Sequence, residues 1–281
     1  MKTVESPHDM QRICGNLRLA GETIGLVPTM GAFHEGHLSL MRAARQACSQ
    51  VAASLFVNPT QFGRGEDLTN YPRTFEQDAA LAEQVGVDYL FAPTEGAMYP
   101  NGYETYVEVE RLTKVLCGVA RPIHFRGVTT IVTKLFNIVR PHKAFFGQKD
   151  AQQTVVIRKM VDDLNMDVEI VELPIVREPD GLAMSSRNQY LSPEEREEAV
   201  VLYRSLEEAR RLIDGGERDA KRIISTIERV IRTASHAEVD YIEVVDSSTL
   251  QPLDALNGET LIALAVRIGS ARLIDNIKIK V

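Results

Sequence analysis

The sequence is short of cysteine, of basic excess and of long apolar runs, and each shortage removes a class of answer. Its three cysteines, Cys14, Cys48 and Cys117, are odd in number and far apart. They form no CxxC pair and no Cys/His cluster, so neither a zinc knuckle nor a disulfide framework is indicated, and a reduced, cytoplasmic setting is expected. Lys and Arg number 32 against 39 Asp and Glu, a net charge of −7. A general nucleic-acid binder would show a basic excess, so no nucleic-acid partner is expected. Nowhere do about 18 apolar residues follow one another, so no membrane span is expected. The first residues carry Glu5, His8 and Asp9 and no apolar run, which does not read as a signal peptide. No internal repeat or low-complexity segment breaks the chain.

What is present points to a folded α/β protein. At 281 residues and 44% hydrophobic content, the chain can build a substantial core, in one large domain or two modest ones. Strand-like runs at 23–27, 52–57, 89–92, 143–146 and 168–171 alternate with helical periods at 38–50, 74–85, 127–139 and 151–164. That alternation predicts a Rossmann-like, doubly wound parallel sheet over residues 1–176. Around Glu178-Pro179-Asp180-Gly181 the texture changes. Ser192-Pro193-Glu194-Glu195 forms a capping box with proline at the first helical position, and Gly215-Gly216 stops the helix behind it. A second helix places Ile223, Ile224, Ile227 and Ile231 on one face, and strands follow at 239–245, 260–267 and 272–281. Residues 177–281 are therefore expected to form a smaller α+β lid domain of two helices and three strands.

In doubly wound sheets ligands bind beyond the carboxyl ends of the strands. Three polar clusters fall there: the turn Thr29 to His37, Asn58-Pro59, and Gly147-Gln148-Lys149-Asp150. In the first, Gly31 and Gly36 let the backbone approach an anion, and the N–H groups of the helix that follows point at it. His34 and His37 add two imidazoles three residues apart, suited to a phosphate. Metal ligation is disfavoured, because HxxH is not the i, i+4 zinc-helix spacing and no third ligand is evident. Lys149 can place an ammonium on a phosphate, and Asp150 can cap the next helix. Met184-Ser185-Ser186-Arg187 offers two hydroxyls and a guanidinium, a clamp that would exclude water when closed. Asp78 could supply one carboxylate to magnesium arriving with a nucleotide triphosphate, or could sit on a solvated helix face. Arg121 and His124 add positive charge before Gly127.

With these clusters in view, the chain resembles the pantoate–β-alanine ligases of the HxGH nucleotidyltransferase superfamily. The resemblance runs through VPTMGAFHEGH, SLFVNPTQF, YPRTFEQD, RPIHFRGV, FFGQKDAQQ, DGLAMSSRNQYL and the closing ARLIDN. It departs mildly at Gln148, where glutamate is common. It implies a two-step reaction: pantoate is adenylated by ATP, with Mg2+, and β-alanine then attacks the acyl adenylate to give pantothenate and AMP. It implies that His34 and His37 contact the ATP phosphates, His37 as proton donor, and that Lys149, Ser185, Ser186 and Arg187 line them too. Met30, Gly147 to Asp150, and Val176 would lie along the nucleotide. Gln61 and Gln153 would hold pantoate, with Asn58, Arg121 and His124 as secondary contributors. A homodimer is implied as well. Two rivals stay in play: a superfamily enzyme that adenylylates a phosphate and stops, and a tRNA-binding module, against which the acidic balance weighs.

Overall fold

The computed structural model describes residues 1–281. In chain order the first half contains β1 (Lys2–Val4), α1 (Pro7–Leu19), β2 (Ile24–Thr29), α2 (Glu35–Ala47), β3 (Gln50–Leu55), α3 (Phe75–Gln84), β4 (Tyr89–Phe91) and a single turn, α4 (Glu95–Met98). There follow a second short turn, α5 (Cys117–Ala120), then α6 (His124–Val139), β5 (Lys143–Gly147), α7 (Ala151–Asp163) and β6 (Glu169–Leu173). The remainder contains α8 (Pro193–Glu198), α9 (Val201–Asp214), α10 (Ala220–Ile231), β7 (Ala237–Asp246), β8 (Glu259–Ile268) and β9 (Ala271–Lys280).

The chain divides into two units. One comprises residues 1–114, 118–147 and 156–173; the other comprises 115–117, 148–155 and 174–281. The division falls after Leu173, three residues before the boundary read from the sequence, and two short segments that precede it, 115–117 and 148–155, group with the second unit.

The first unit is a six-stranded parallel sheet in the order β1-β4-β3-β2-β5-β6. Consecutive strand residues point to opposite faces, and both faces are covered. Leu26, Phe91 and Phe146 pack with Met10 and Cys14 of α1, Leu135 of α6 and Ile157 of α7. Their neighbours Val27, Leu90 and Phe145 pack with Leu40, Met41 and Ala44 of α2 and Ala82 of α3. The strand order reverses between β2 and β5, which is the switch point where such sheets receive ligands. The chemistry-bearing turn leaves the sheet from β2, at that point.

The second unit carries the antiparallel sheet β7-β8-β9. Leu202, Leu206, Ala209 and Ile213 of α9 and Ile223, Ile227 and Ile231 of α10 bury one stripe each, packing with Ile262, Leu264 and Val266 of β8. No helix of the chain is long and apolar enough to cross a membrane.

Three local differences from the sequence expectation have physical reasons. Helix α1 was not anticipated, although Ser6 caps it by accepting the Asp9 amide at 3.3 Å, with Pro7 at its first position. Strand β2 continues past Pro28 because Ser54 replaces the lost ladder contact: its hydroxyl accepts the Thr29 amide at 3.2 Å, and its carbonyl accepts the Thr29 hydroxyl at 2.6 Å. The helix behind Ser192 is two helices, since at Ala199 the bonding tightens to an i→i+3 contact from the Leu202 amide at 3.2 Å.

Candidate active site

The turn between β2 and α2 is built in a high-energy backbone conformation. Gly31 has φ +89° and Ala32 φ +52°, the second a left-handed residue without glycine's freedom. A Cβ at Gly31 would lie 3.0 Å from Asp78 Oδ2. What offsets the strain is that carboxylate. Asp78, 1% exposed on α3, accepts the Ala32 amide at 2.9 Å and the Phe33 amide at 2.7 Å. The Thr74 hydroxyl donates to it at 3.1 Å.

With the turn held, α2 starts on a cap made of two imidazoles. His34 Nδ1 accepts the Gly36 amide at 3.1 Å, and His37 Nδ1 accepts the His34 amide at 3.4 Å. Serine and glutamate usually make this reciprocal arrangement. Histidine makes it with a chemical consequence. A ring nitrogen that accepts an N–H cannot carry the proton, so each neutral ring bears it on Nε2. The two rings lie 4.2 Å apart, centroid to centroid, at the positive end of a helix. The arrangement therefore offers paired N–H donors to an anion.

Beside this turn lies the 3-10 turn Pro59–Gln61. Gln61, 7% exposed, is gripped from every side. Asn58 Nδ2 donates to its Oε1 at 3.0 Å, and its own Nε2 approaches Met30 Sδ at 3.1 Å. Its carbonyl accepts from His124 Nδ1 at 3.0 Å and Arg121 at 3.3 Å. Arg121 is itself paired with Glu66, whose carboxyl stays below its ordinary pKa although burial opposes this. The start of α6 docks directly on this turn. A Cβ at Gly127 would lie 2.5 Å from the Thr60 carbonyl and the Gln61 nitrogen.

In the second unit, β9 organises three further segments. Asn276 Nδ2 donates to the carbonyls of Gln148 and Lys149 at 3.0 and 3.1 Å, and Gln148 Nε2 donates to Asn276 Oδ1 at 3.2 Å. The Lys149 ammonium lies 3.7 Å from Asp150. Val176 and Met184 are joined by the Met184 amide on the Val176 carbonyl at 3.0 Å. Between them Arg177 forms a two-bond pair with Asp275, at 2.7 and 2.9 Å, and lies over the Tyr203 ring. Asp275 is 1% exposed; burial pushes its carboxyl above the ordinary range, against Arg177, which pulls it down. Ser185 accepts the Arg187 amide at 3.3 Å and so starts the 3-10 helix Ser186–Tyr190, leaving its hydroxyl proton for another acceptor.

A pantoate-beta-alanine ligase family model matches residues 2–278. The chain belongs to that family.

It is an enzyme, a ligase. It is 58% identical over 281 residues to the pantothenate synthetase of Heliobacterium modesticaldum and 59% identical over 281 residues to that of Acetivibrio thermocellus, covering 100% of each chain in both cases. The crystal structure of pantothenate synthetase from Thermus thermophilus matches with TM-score 0.94 and 45% identity, over 99% of both chains. A pantoate-beta-alanine ligase from Francisella tularensis, in a structure described as complexed with beta-gamma ATP and beta-alanine, matches with TM-score 0.81 and 34% identity, over 99% of this chain and 97% of that one.

The structure distributes the sequence-derived residues over the two units. His34, His37, Met30, Gly31, Gly36 and Gln61 are brought together in the first unit. Gly147, which ends β5, belongs to that unit, whereas Gln148, Lys149, Asp150, Val176, Met184, Ser185, Ser186 and Arg187 belong to the second. Gln153 is half-buried on the first turn of α7. Its neighbour Gln152 binds the Cys117 amide and the Val115 carbonyl. One expectation needs correcting. Asp78 is not a solvent-facing magnesium ligand; its oxygens hold the Ala32 and Phe33 amides in the interior. Arg121 and His124 hold the Gln61 main chain, and Asn58, 1% exposed, holds its side chain. Gln148 Nε2 donates to Asn276 Oδ1, a bond that a glutamate carboxylate would not make. Tyr99, Glu66, Arg177, Asp275 and Asn276 went unassigned in the sequence; the closing LIDN segment was the available signal for the last two.

Proposed function

We propose that this ligase joins pantoate to β-alanine through a pantoyl adenylate. A carboxylate oxygen of pantoate forms a bond to the α-phosphorus of ATP, the bond from that phosphorus to the bridging oxygen breaks, and pyrophosphate leaves. The β-alanine amine then forms a C–N bond at the acyl carbon, the C–O bond to AMP breaks, and the amine's surplus proton is released. The observation that carries this reading is the imidazole cap of α2, which turns His34 and His37 into Nε2–H donors at the carboxyl end of β2.

Displacement at phosphorus needs alignment and charge neutralisation more than covalent help. His34 and His37 donate to the phosphates, with His37 the proton donor. Lys149, Ser185, Ser186 and Arg187 contribute charge and hydroxyl donors to the same groups. Met30, Gly147, Gln148, Asp150, Val176 and Met184 lie along the nucleotide, and Gln61 and Gln153 hold pantoate. Neutral amides suit a site that must bind one carboxylate without protonating it. Magnesium enters as part of MgATP, keeping most of its waters; Asp78, 1% exposed with its oxygens on the Ala32 and Phe33 amides, is not placed to hold it. For aminolysis no carboxylate among these residues is an obvious base, and proximity to the trapped adenylate supplies the acceleration. The family resemblance also carries a homodimeric, cytoplasmic enzyme, and sedimentation velocity tests the dimer.

Pantoate labelled with 18O in its carboxylate tests the chemistry. One labelled oxygen is expected in AMP, with AMP release dependent on pantoate. Unlabelled AMP would overturn the adenylate, and label in inorganic phosphate would indicate a different activation.

A further inference from the structure

Asn58 sits inside a polar network that fixes which way its amide points, with the Thr60 and Tyr99 hydroxyls 3.2 Å apart on its oxygen side. The carbonyl of Gly127 can only accept, and it lies 3.1 Å from Asn58 Nδ2. Flipping the amide would set oxygen against oxygen, so Nδ2 must face Gly127. Its second proton then goes to Gln61 Oε1 at 3.0 Å. Asn58 Oδ1 faces the other way and accepts from the Tyr99 hydroxyl at 2.8 Å and the Thr60 hydroxyl at 2.9 Å. Burial pushes the Tyr99 phenol up to about 12, so it remains a donor at any working pH.

The consequence runs outward. Asn58 takes one lone pair of Gln61 Oε1 from behind and so fixes the amide with its NH2 beside Met30. We infer that Tyr99, acting through Asn58, is a positioning residue that sets the polarity of Gln61, so that the acid-binding pocket selects a ligand oxygen that accepts and rejects one that donates. Tyr99 belongs to no motif of the phosphate site and ends the short turn α4. Its ring is held by Tyr103 at 5.0 Å and Phe56 at 6.3 Å, which fixes where the hydroxyl points. The inference rests on Gln61 as a pantoate contact.

Steady-state kinetics of Tyr99→Phe and of the double variant with Thr60→Val test it. Tyr99→Phe should raise the pantoate KM about 3- to 10-fold, the weight of one neutral hydrogen bond, and the double variant should raise it further. The ATP KM should stay within about twofold of wild type, because a substrate-specific contact has been loosened and the fold has not. A pantoate KM unmoved in the double variant, or an ATP KM rising in step with it, overturns the inference. If the wild-type enzyme shows no pantoate-dependent AMP release, the functional reading falls and the network is decided in the free protein. The side-chain NH2 resonance of Gln61, assigned by its loss in Gln61→Met, should shift or broaden in the double variant. An unchanged resonance rejects the relay whatever the enzyme's substrate.

Discussion

The carboxylate of Asp78 accepts the amide of Phe33 at 2.7 Å across 45 positions of sequence. Through it, α3 holds the turn that aims both histidines. Asp78→Asn must point an NH2 group at one of two amide donors, leaving buried donors opposed. Urea unfolding is expected to show a loss of about 1–3 kcal/mol. Adenylation should fall with it; unchanged stability and turnover would contradict the clamp.

In the proposed reaction His37 and Lys149 donate to developing charge, and His37→Ala and Lys149→Ala remove those donors. Pantoate-dependent pyrophosphate release should drop by about 10²–10³ in each, the usual cost of losing one such donor. The circular dichroism melt of Lys149→Ala should stay close to wild type, whereas His37→Ala also removes half of the α2 cap and should lose about 0.5–2 kcal/mol. Wild-type turnover in either variant would sink the assignment.

Gln61→Glu replaces the amide NH2 with negative charge. The pantoate KM should rise at least about 10-fold, with the ATP KM little changed, because like charges are set against each other. Gly127→Ala should move the pantoate KM in the same direction, since its Cβ would lie 2.5 Å from the Thr60 carbonyl and must displace the turn. A pantoate KM unaffected by both would remove Gln61 from the site.

Arg177→Met leaves the Asp275 carboxylate without its partner at 1% exposure. Breaking a buried pair in this way costs about 3–5 kcal/mol, readable in chemical denaturation. Replacing both partners with apolar residues should recover much of it. Equal stability of the single and double variants would show that the pair is not the support of the Val176–Met184 segment.

Glu198 supplies a pH dependence. The Ser235 hydroxyl and the His236 amide hold its carboxyl down from 4.5 to about 2. A depressed carboxyl stabilises the fold above its ordinary pKa, and that contribution is lost as pH falls through the depressed value. The acid limb of the thermal melting curve should therefore flatten in Glu198→Gln. Identical curves for variant and wild type would assign the acid limb to other groups.

Much of the first unit was legible because its cues are local. The strands after residue 23 carry apolar runs, and glycine beside a helix start signals an anion site before any contact is known. Ser6-Pro7 is an equally local cue for α1, of the same form as Ser192-Pro193 before α8. The three residues of β1 were not legible, because only pairing with β4 makes them a strand. Nor could spacing distinguish Asp78 on a solvated face from Asp78 in the interior; both place it in the first turn of α3.

The sequence by itself determined the family, the alternation of strands and helices from residue 23 onward, and the presence of HxGH, NPTQF, GQKD and MSSR, since these are properties of neighbouring residues. Only the tertiary structure decided what each polar group faces. A hydrogen bond is directional, and its direction depends on partners brought from 45 positions away in Asp78 and 69 in Asn58. Hence Asp78 is neither of the two readings its position allowed but a clamp on the Ala32 and Phe33 amides, His34 and His37 carry their cap bonds on Nδ1, and Gln61 Oε1 faces Asn58.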